Sequence, residues 1–466
     1  MIIKNGTVID PVEKRMYNAD ILIRQGKVER IVEKKDSGVV DEVDSWLKPD
    51  ASSKNDGVKI DLEKEFPREM LIDATGLFVS PGLIDTHVHF RDPGFPDKED
   101  IYTGAEAAKK GGYTGVVMMA NTKPRIDNPD VLKYVLDRGK NTGIRVYACA
   151  NITMKMEGKE LTDMPSLKTL GAVGFTDDGI PLVDKGIVKS AMKEACALNV
   201  PISFHEENPE LICENGINAG VASTYYKIAG SPREAEISMI ERDIELARIV
   251  TSEMGMDVRD ALYGHLLGPC FVIQHISTEE GVMLVRNAKK LGLNIHAEAT
   301  PHHFSLTEMD AIKYGANAKM NPPLRTESDR EAIIEGIKDG TIDIIATDHA
   351  PHTQNEKELP ITEAPSGIIG LETALSLGIQ NLVNRGFLTY PELIDRMSTA
   401  PAALYGLQGG VIKEGGVADI TIFAPNEIWE VKEFASKASN SPFIGRRLPG
   451  VVKYTICDGK IVYMER

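Results

Sequence analysis

Eight short apolar runs, most of them followed by a helix-like stretch, constrain the fold of this chain more than any other feature. In order from about residue 82 they are LIDTHVHF, TGVVMMAN, IRVYACANI, GAVGFTDD, PISFHEE, FVIQHIST, NIHAEATP and DIIATDHA. Segments such as TGAEAAKKGG, PDVLKYVLDRGK, KGIVKSAMKEACALN and EEGVMLVRNAKKLG lie between them and carry helical spacing. Strands separated by helical crossovers make parallel βα units. Eight such units favour a closed (β/α)₈ barrel over an open sheet. In that architecture the C-terminal ends of the strands share one rim, so the polar residues closing each run are the candidates for chemistry.

The two ends of the chain differ from the middle and resemble each other. MIIKNGTVID and DILIRQGKVERIV alternate apolar and polar residues around NG and QGK turns, and GVADITIFAP and VVKYTICDGKIVYM do the same around a DG turn. Residues 1–80 and 410–466 are therefore expected to form one small β-sandwich domain beside a barrel of residues 81–409. Residues 36–69 are polar and acidic without a sustained period, which predicts a surface excursion or loop.

The net charge of −16 argues against nucleic acid or an anionic membrane as a partner. No stretch approaches the ~20 apolar residues of a membrane span, and MIIKNGTVIDP carries no apolar signal run. The five cysteines (Cys149, Cys196, Cys213, Cys270 and Cys457) are scattered without a CxxC pair, which suits reduced, mostly buried thiols in a cytoplasmic protein. An anionic substrate would need a locally positive pocket in so acidic a chain.

His87 and His89 are two apart at the end of the first run, so on a strand both imidazoles face one side. Alone, such a pair is a weak signal. His205, His275, Asp178 and Asp348 each close a further run. Four imidazoles and two carboxylates on one rim match the ligands of Zn²⁺. Any one of the six could be a satisfied core residue; all six together point to a metal centre. Zinc lowers the pKa of bound water from 15.7 towards about 7 and polarises carbonyls. Asp348 is the expected proton acceptor and donor, a role compatible with its being a metal ligand. Blander readings fit other residues. Glu206 or Glu207 orients His205, or both are solvated. His302 and His303 position a loop. His296 packs in the core, His265 is exposed, and His349 points away from Asp348.

The runs GLIDTHVHFRDPG, MANTKP, FTDDG, HEEN, QHIST, TPHHF, KMNPPLR, ATDHAPH, GIIGLETA and SPFIGR resemble the amidohydrolase superfamily, and more closely its class I dihydroorotases. The resemblance covers roughly residues 80–446. It implies a first metal pair in His87 and His89, a bridging Asp178, and second-metal ligands in His205 and His275, with one or two Zn²⁺ per subunit. It implies an acid–base role for Asp348. It further implies that Arg91, Asn121 and His352 hold a substrate carboxylate and that Asn321 touches substrate. Hydantoinases, dihydropyrimidinases and allantoinases generally bridge their metals with a carboxylated lysine, whereas this strand end offers Thr176, Asp177 and Asp178. Lys168 lies upstream on a predicted helix. Arg91, two beyond His89, would share its strand face and present a guanidinium fork to a carboxylate; the alternative is a surface ion pair with Asp92. Ala120 and Ser366 depart from the family pattern, and the segments 36–69 and 251–269 are longer than expected.

The implied activity is reversible, zinc-dependent hydrolysis of (S)-dihydroorotate to N-carbamoyl-L-aspartate in pyrimidine biosynthesis, with the polar loop APHTQNEKELP as a lid. The alternatives are another cyclic amide hydrolase (allantoinase or hydantoinase/dihydropyrimidinase) or an inactive scaffold homologue. Relatives suggest a homodimer; the sequence itself leaves open whether a partner such as aspartate transcarbamoylase binds.

Overall fold

A computed structural model describes residues 1–34, 61–255 and 271–465. The central element is a sheet of eight parallel strands: β6 (Leu83–Val88), β7 (Tyr113–Met118), β8 (Arg145–Ala150), β9 (Gly174–Thr176), β10 (Ile202–Phe204), β11 (Phe271–Ile273), β12 (Ile295–Ala299) and β13 (Ile344–Ile345). They neighbour one another in chain order. The sheet closes where the His89 amide donates to the His349 carbonyl at 2.9 Å, beside a parallel bridge between Val88 and His349. The Asp85 carboxylate joins the seam by accepting from the Thr347 amide. Every residue of β6 and β7 is buried, as expected of strands covered on both faces, and neither run alternates polar with apolar residues. Helices make the outer layer. Ile101–Lys110 begins where the Asp100 carboxylate accepts from the Tyr102 and Thr103 amides, and it buries Ala105 and Ala108 against the barrel.

The second sheet draws on both ends of the chain: β1 (Ile2–Asp10), β2 (Arg15–Arg24), β3 (Lys27–Glu33), β4 (Leu71–Asp73), β5 (Phe78–Pro81), β14 (Ile420–Glu430), β15 (Arg447–Cys457) and β16 (Lys460–Met464). Its order is β16-β15-β14-β5-β1-β2-β3, with β4 paired to β1. The antiparallel pairing of β14 with β5 sets Ile422 opposite Val79 and ties the C-terminal part to the N-terminal part. Ile3, Val8, Ile21, Val79, Ile420, Ile422 and Ile456 form a core cluster of their own. β5 passes directly into β6 through Gly82, so the sheet is anchored at the start of the barrel.

The sequence reading needs correction at two points, the loop within 36–69 and the burial of the cysteines. The segment 36–69 is not loop throughout, because Leu62–Glu65 forms a helical turn capped by Asp61 and Leu62 is buried against Ile2 and Leu22. The stretch from 251 opens inside a 21-residue helix, Arg233–Glu253. Cys149 and Cys457 are buried as expected, but Cys213 is exposed, in a segment with no strand or helix to carry it inward. Residues 36–60 and 256–269, His265 and Cys270 lie outside the described residues. Among the described residues no helix is long and apolar enough to cross a membrane.

Candidate metal centre and active site

All six residues singled out as metal ligands converge at one mouth of the barrel. His87 is in β6 and His89 just past it. Asp178 follows β9, His205 follows β10, His275 follows β11, and Asp348 lies three residues beyond β13. Each is buried; the most exposed, His205, shows 7% of its surface. Three key positions leave their strands through left-handed backbone: His275 at φ 32°, Asp348 at φ 47° and Arg91 at φ 60°. Such conformations cost non-glycine residues about 1–3 kcal/mol and gather where surrounding structure holds a functional group in place.

Asp178 is the hub. Its Oδ1 lies 3.5 Å from His87 Nε2, 3.6 Å from His205 Nδ1 and 3.5 Å from His275 Nε2, and its Oδ2 lies 3.4 Å from His89 Nε2. Asp348 Oδ1 stands 3.5 Å from His87 Nε2 and 2.9 Å from His89 Nε2. A tetrahedral ion with bonds of about 2.1 Å separates its ligand atoms by about 3.4 Å, so most of these spacings suit donors arranged around a cation. Three overlapping triads could hold a metal: His87–His89–Asp178, His87–His275–Asp348 and Asp178–His205–His275. The buried His87 Nε2 has no hydrogen-bond partner among the described residues, as expected of an atom whose lone pair is kept for a metal.

The outward nitrogens strengthen the fit. Metal-binding imidazoles usually donate their other N–H to a carboxylate or carbonyl, which fixes ring and tautomer. His87 Nδ1 lies 2.5 Å from Glu298 Oε1, His89 Nδ1 lies 3.0 Å from Asn121 Oδ1, and His205 Nε2 lies 3.0 Å from Glu207 Oε2. Burial alone would strip His87 of a proton, yet the Glu298, Asp178 and Asp348 carboxylates hold it well above the ordinary histidine value. His205, equally buried, is pushed up to about 10, first by Asp178 and Glu207. Against burial, His87 and its neighbours hold Asp178 and Asp348 below the usual carboxylate range. The field at the centre is one that a cation stabilises.

A cavity of about 120 Å³ opens on this cluster, lined by His89, Arg91, Asn121, Asp178, His205, His275, Asn321, Asp348, Ser366 and Gly367 among others. Arg91 reaches it, though not by strand alternation: β6 ends at Val88, and the left-handed turn at Arg91 aims the side chain while Nε donates to the Pro351 carbonyl at 3.2 Å. The ion pair with Asp92 does not form, because the Asp92 carboxylate takes Arg138 Nε and the Tyr134 hydroxyl, both at 3.0 Å. The guanidinium therefore supplies positive charge inside an acidic protein. Asn121 lines the cavity with both ends of its amide engaged, Oδ1 on His89 and Nδ2 at 3.3 Å from Asp178. Asn321 Oδ1 accepts from the Ser366 hydroxyl at 2.8 Å. His352 sits behind the wall, with Nε2 at 2.9 Å from the Ser366 carbonyl and Nδ1 at 3.3 Å from Lys98 Nζ. Burial, then Arg91 and Lys98, pull its pKa down to about 2, so the ring is neutral.

Several blander readings are now resolved. Glu207 holds His205, and Glu206 is buried beside Asp243, so neither is solvated. His303 Nε2 lies 3.0 Å from the Pro322 carbonyl and pins the loop carrying Asn321; His302 is buried next to it. His349 points away from the site towards the Gly370 amide. His296 is not core: it is half-buried and paired with Asp343 at 3.2 Å. Lys168 lies on the helix Met164–Leu170, away from the cluster. Sequence reasoning missed Glu298. The signal was present, because Glu298 shares the strand face of His296 two residues nearer the active rim, and a carboxylate in so apolar a strand requires a buried partner.

An eight-stranded parallel barrel with a histidine–aspartate centre at its C-terminal rim defines a class of metal-dependent hydrolases. Residues 78–462 match the model of the amidohydrolase family, and the chain belongs to that family. Within it, the chain is 48% identical to a dihydroorotase of Clostridioides difficile, over 99% of both chains. It is 49% identical to a dihydroorotase of Clostridium acetobutylicum, over 100% of both. Among solved structures it superposes on an L-hydantoinase (dihydropyrimidinase) from Arthrobacter aurescens with a TM-score of 0.78 at 25% identity, covering 99% of this chain and 96% of that one. A dihydropyrimidinase from Brevibacillus agri, at 21% identity and TM-score 0.78 over 99% and 95%, shares the fold.

Proposed function

We propose that this chain is a zinc-dependent dihydroorotase, reversibly hydrolysing the ring amide of (S)-dihydroorotate to N-carbamoyl-L-aspartate. The observation that carries the reading is that one small cavity is lined by five of the six cluster residues and by Arg91, with His87 closing the cluster behind it. A cyclic amide bearing a carboxylate needs both; allantoin and dihydrouracil carry no carboxylate for Arg91 to meet. The full-length likeness to proteins named dihydroorotase supports the same substrate.

The donor set of imidazole and carboxylate, without thiolate, suits Zn²⁺. His87, His89, Asp178 and Asp348 would hold one ion, and Asp178, His205 and His275 a second. The metal's contribution when bound is to acidify water and polarise the amide carbonyl. The protein's own groups do the rest. Arg91 pairs with the substrate carboxylate and sets the ring's orientation, and Asn121 and Asn321 supply polar contacts on either side. Asp348 accepts the proton of the attacking water and delivers it to the departing ring nitrogen; in ring closure the proton moves the other way. Residues 81–409 are assigned to this catalytic barrel, and 1–80 with 410–466 to the supporting β domain. A cytoplasmic homodimer, with association to aspartate transcarbamoylase, fits the metabolic role.

The test is ultraviolet loss of dihydroorotate against allantoin and dihydrouracil, with zinc-loaded wild type and Arg91→Met. Dihydroorotate should be the preferred substrate. Arg91→Met should lose about 10- to 100-fold in kcat/KM, the scale of a lost charged hydrogen-bond pair. Faster turnover of either neutral ring, or full activity in Arg91→Met, would overturn the assignment.

A further inference from the structure

The wall of the cavity formed by Ser366 and Gly367 has an unusual support. Four consecutive backbone carbonyls, residues 364–367, each accept from a side chain. Ala364 accepts from Lys319 Nζ at 2.7 Å, Pro365 from Lys357 Nζ at 2.9 Å, Ser366 from His352 Nε2 at 2.9 Å, and Gly367 from both Lys357 Nζ at 3.0 Å and Asn440 Nδ2 at 3.0 Å. Lys319 Nζ also reaches the Ile361 carbonyl at 2.6 Å, and the Lys319 carbonyl accepts from the Gly367 amide at 2.9 Å. Neither lysine makes a salt bridge to a carboxylate among the described residues, although Lys319 is 6% and Lys357 8% exposed. A buried ammonium without a carboxylate is costly and persists only where its hydrogen bonds are well placed.

We propose that Lys319 and Lys357 are positioning residues for substrate: their ammonium groups clamp the strap 361–367 so that Ser366 and Gly367 form the cavity wall opposite the metal ligands. This rests on the proposed reading of the cavity as the substrate site. The clamp links that wall to the rest of the recognition machinery. Lys319 is two residues from Asn321, whose Oδ1 takes the Ser366 hydroxyl. His352, the donor to Ser366, lies 3.3 Å from Arg91 Nη2. The strap, the Asn321 loop and the Arg91 turn are therefore joined in one hydrogen-bonded network, with the two lysines as the fasteners that satisfy the strap's carbonyls. Burial pulls the Lys357 pKa down to about 7, in keeping with a strongly desolvated clamp.

The test uses Lys319→Met and Lys357→Met, which keep the apolar stem and remove the donors, with Lys357→Gln as a variant that keeps an N–H. Two readouts are taken on the full-length, zinc-loaded protein: steady-state kinetics with dihydroorotate, and amide hydrogen exchange of residues 361–367. Each Met variant should raise KM about tenfold, the scale of one or two lost hydrogen bonds, with kcat nearly unchanged. Exchange in the strap should speed up while β6–β13 keep their protection and the metal content stays that of wild type, and Lys357→Gln should recover part of the KM. Unchanged KM and unchanged strap exchange would overturn the proposal. So would loss of metal and of barrel protection in both Met variants, because the lysines would then serve the fold as a whole. If the substrate assignment itself is wrong, wild type fails on dihydroorotate while strap exchange still separates it from the variants.

Discussion

Replacing Glu298 separates the charge that steadies His87 from the hydrogen bond that orients it. Glu298 Oε1 lies 2.5 Å from His87 Nδ1 and also accepts the His275 amide at 3.2 Å, so one buried carboxylate touches two candidate ligands. Glu298→Gln keeps an acceptor in the same place and removes the charge. Glu298→Ala removes both and leaves a buried N–H without a partner. Loss of such an outer partner typically costs 10- to 100-fold in metal affinity or activity, or about 1.4–2.8 kcal/mol. Glutamine should sit near the lower figure. Alanine should reach the upper one, because an orphaned buried donor adds about 1–3 kcal/mol, part of which appears as lost fold stability. The assay is zinc affinity by competition with a chromophoric chelator, paired with kcat on dihydroorotate. Wild-type zinc affinity and turnover in Glu298→Ala would refute the reasoning, since His87 would then need no support from β12.

Asp348→Asn should lower kcat by about 10²- to 10⁴-fold while protein-bound zinc at the His205–His275 side persists; near-normal turnover would remove Asp348 from the proton path. Treatment with dipicolinate should lower the melting temperature, because a ligand at a thousand times its Kd stabilises by about 4 kcal/mol; an unchanged melt would mean that folding does not draw on a metal. Gly367→Ala should destabilise the protein by about 1–3 kcal/mol in urea titration and raise KM. The cause is local: Gly367 has φ +150°, and a Cβ there would stand 2.7 Å from both the Ala350 carbonyl oxygen and His352 Cδ2. Wild-type stability in that variant would show that the strap relaxes freely.

The barrel was legible because its strands are buried on both faces, which makes most of them apolar-rich runs closed by a polar residue. The six candidate ligands stood out for the same reason, as ionisable groups that a shared partner would reconcile with burial. Relations across the barrel were not legible. DIIATDHA reads as one long strand, but β13 holds only Ile344–Ile345 because Thr347 turns to the Asp85 carboxylate and Asp348 goes left-handed. Arg91 was placed in the cavity by a periodicity that stops at Val88; the turn that aims it is a tertiary effect. Glu298 and Lys319 act on groups far away in sequence, His87 and the carbonyls of Ile361 and Ala364, so no local window contains the pairing, and Lys357 reaches the Pro365 and Gly367 carbonyls through a loop without a period that would mark it. The turn at Leu62–Glu65 was hidden in a polar stretch because one leucine suffices to dock it.

The most direct test of the metal centre is anomalous diffraction at the zinc absorption edge from crystals of the zinc-loaded protein. The account predicts a peak within about 2.0–2.2 Å of donor atoms from His87, His89 and Asp178, and a second bounded by Asp178, His205 and His275. Zinc bound elsewhere, with those side chains hydrogen-bonded only to one another, would contradict it.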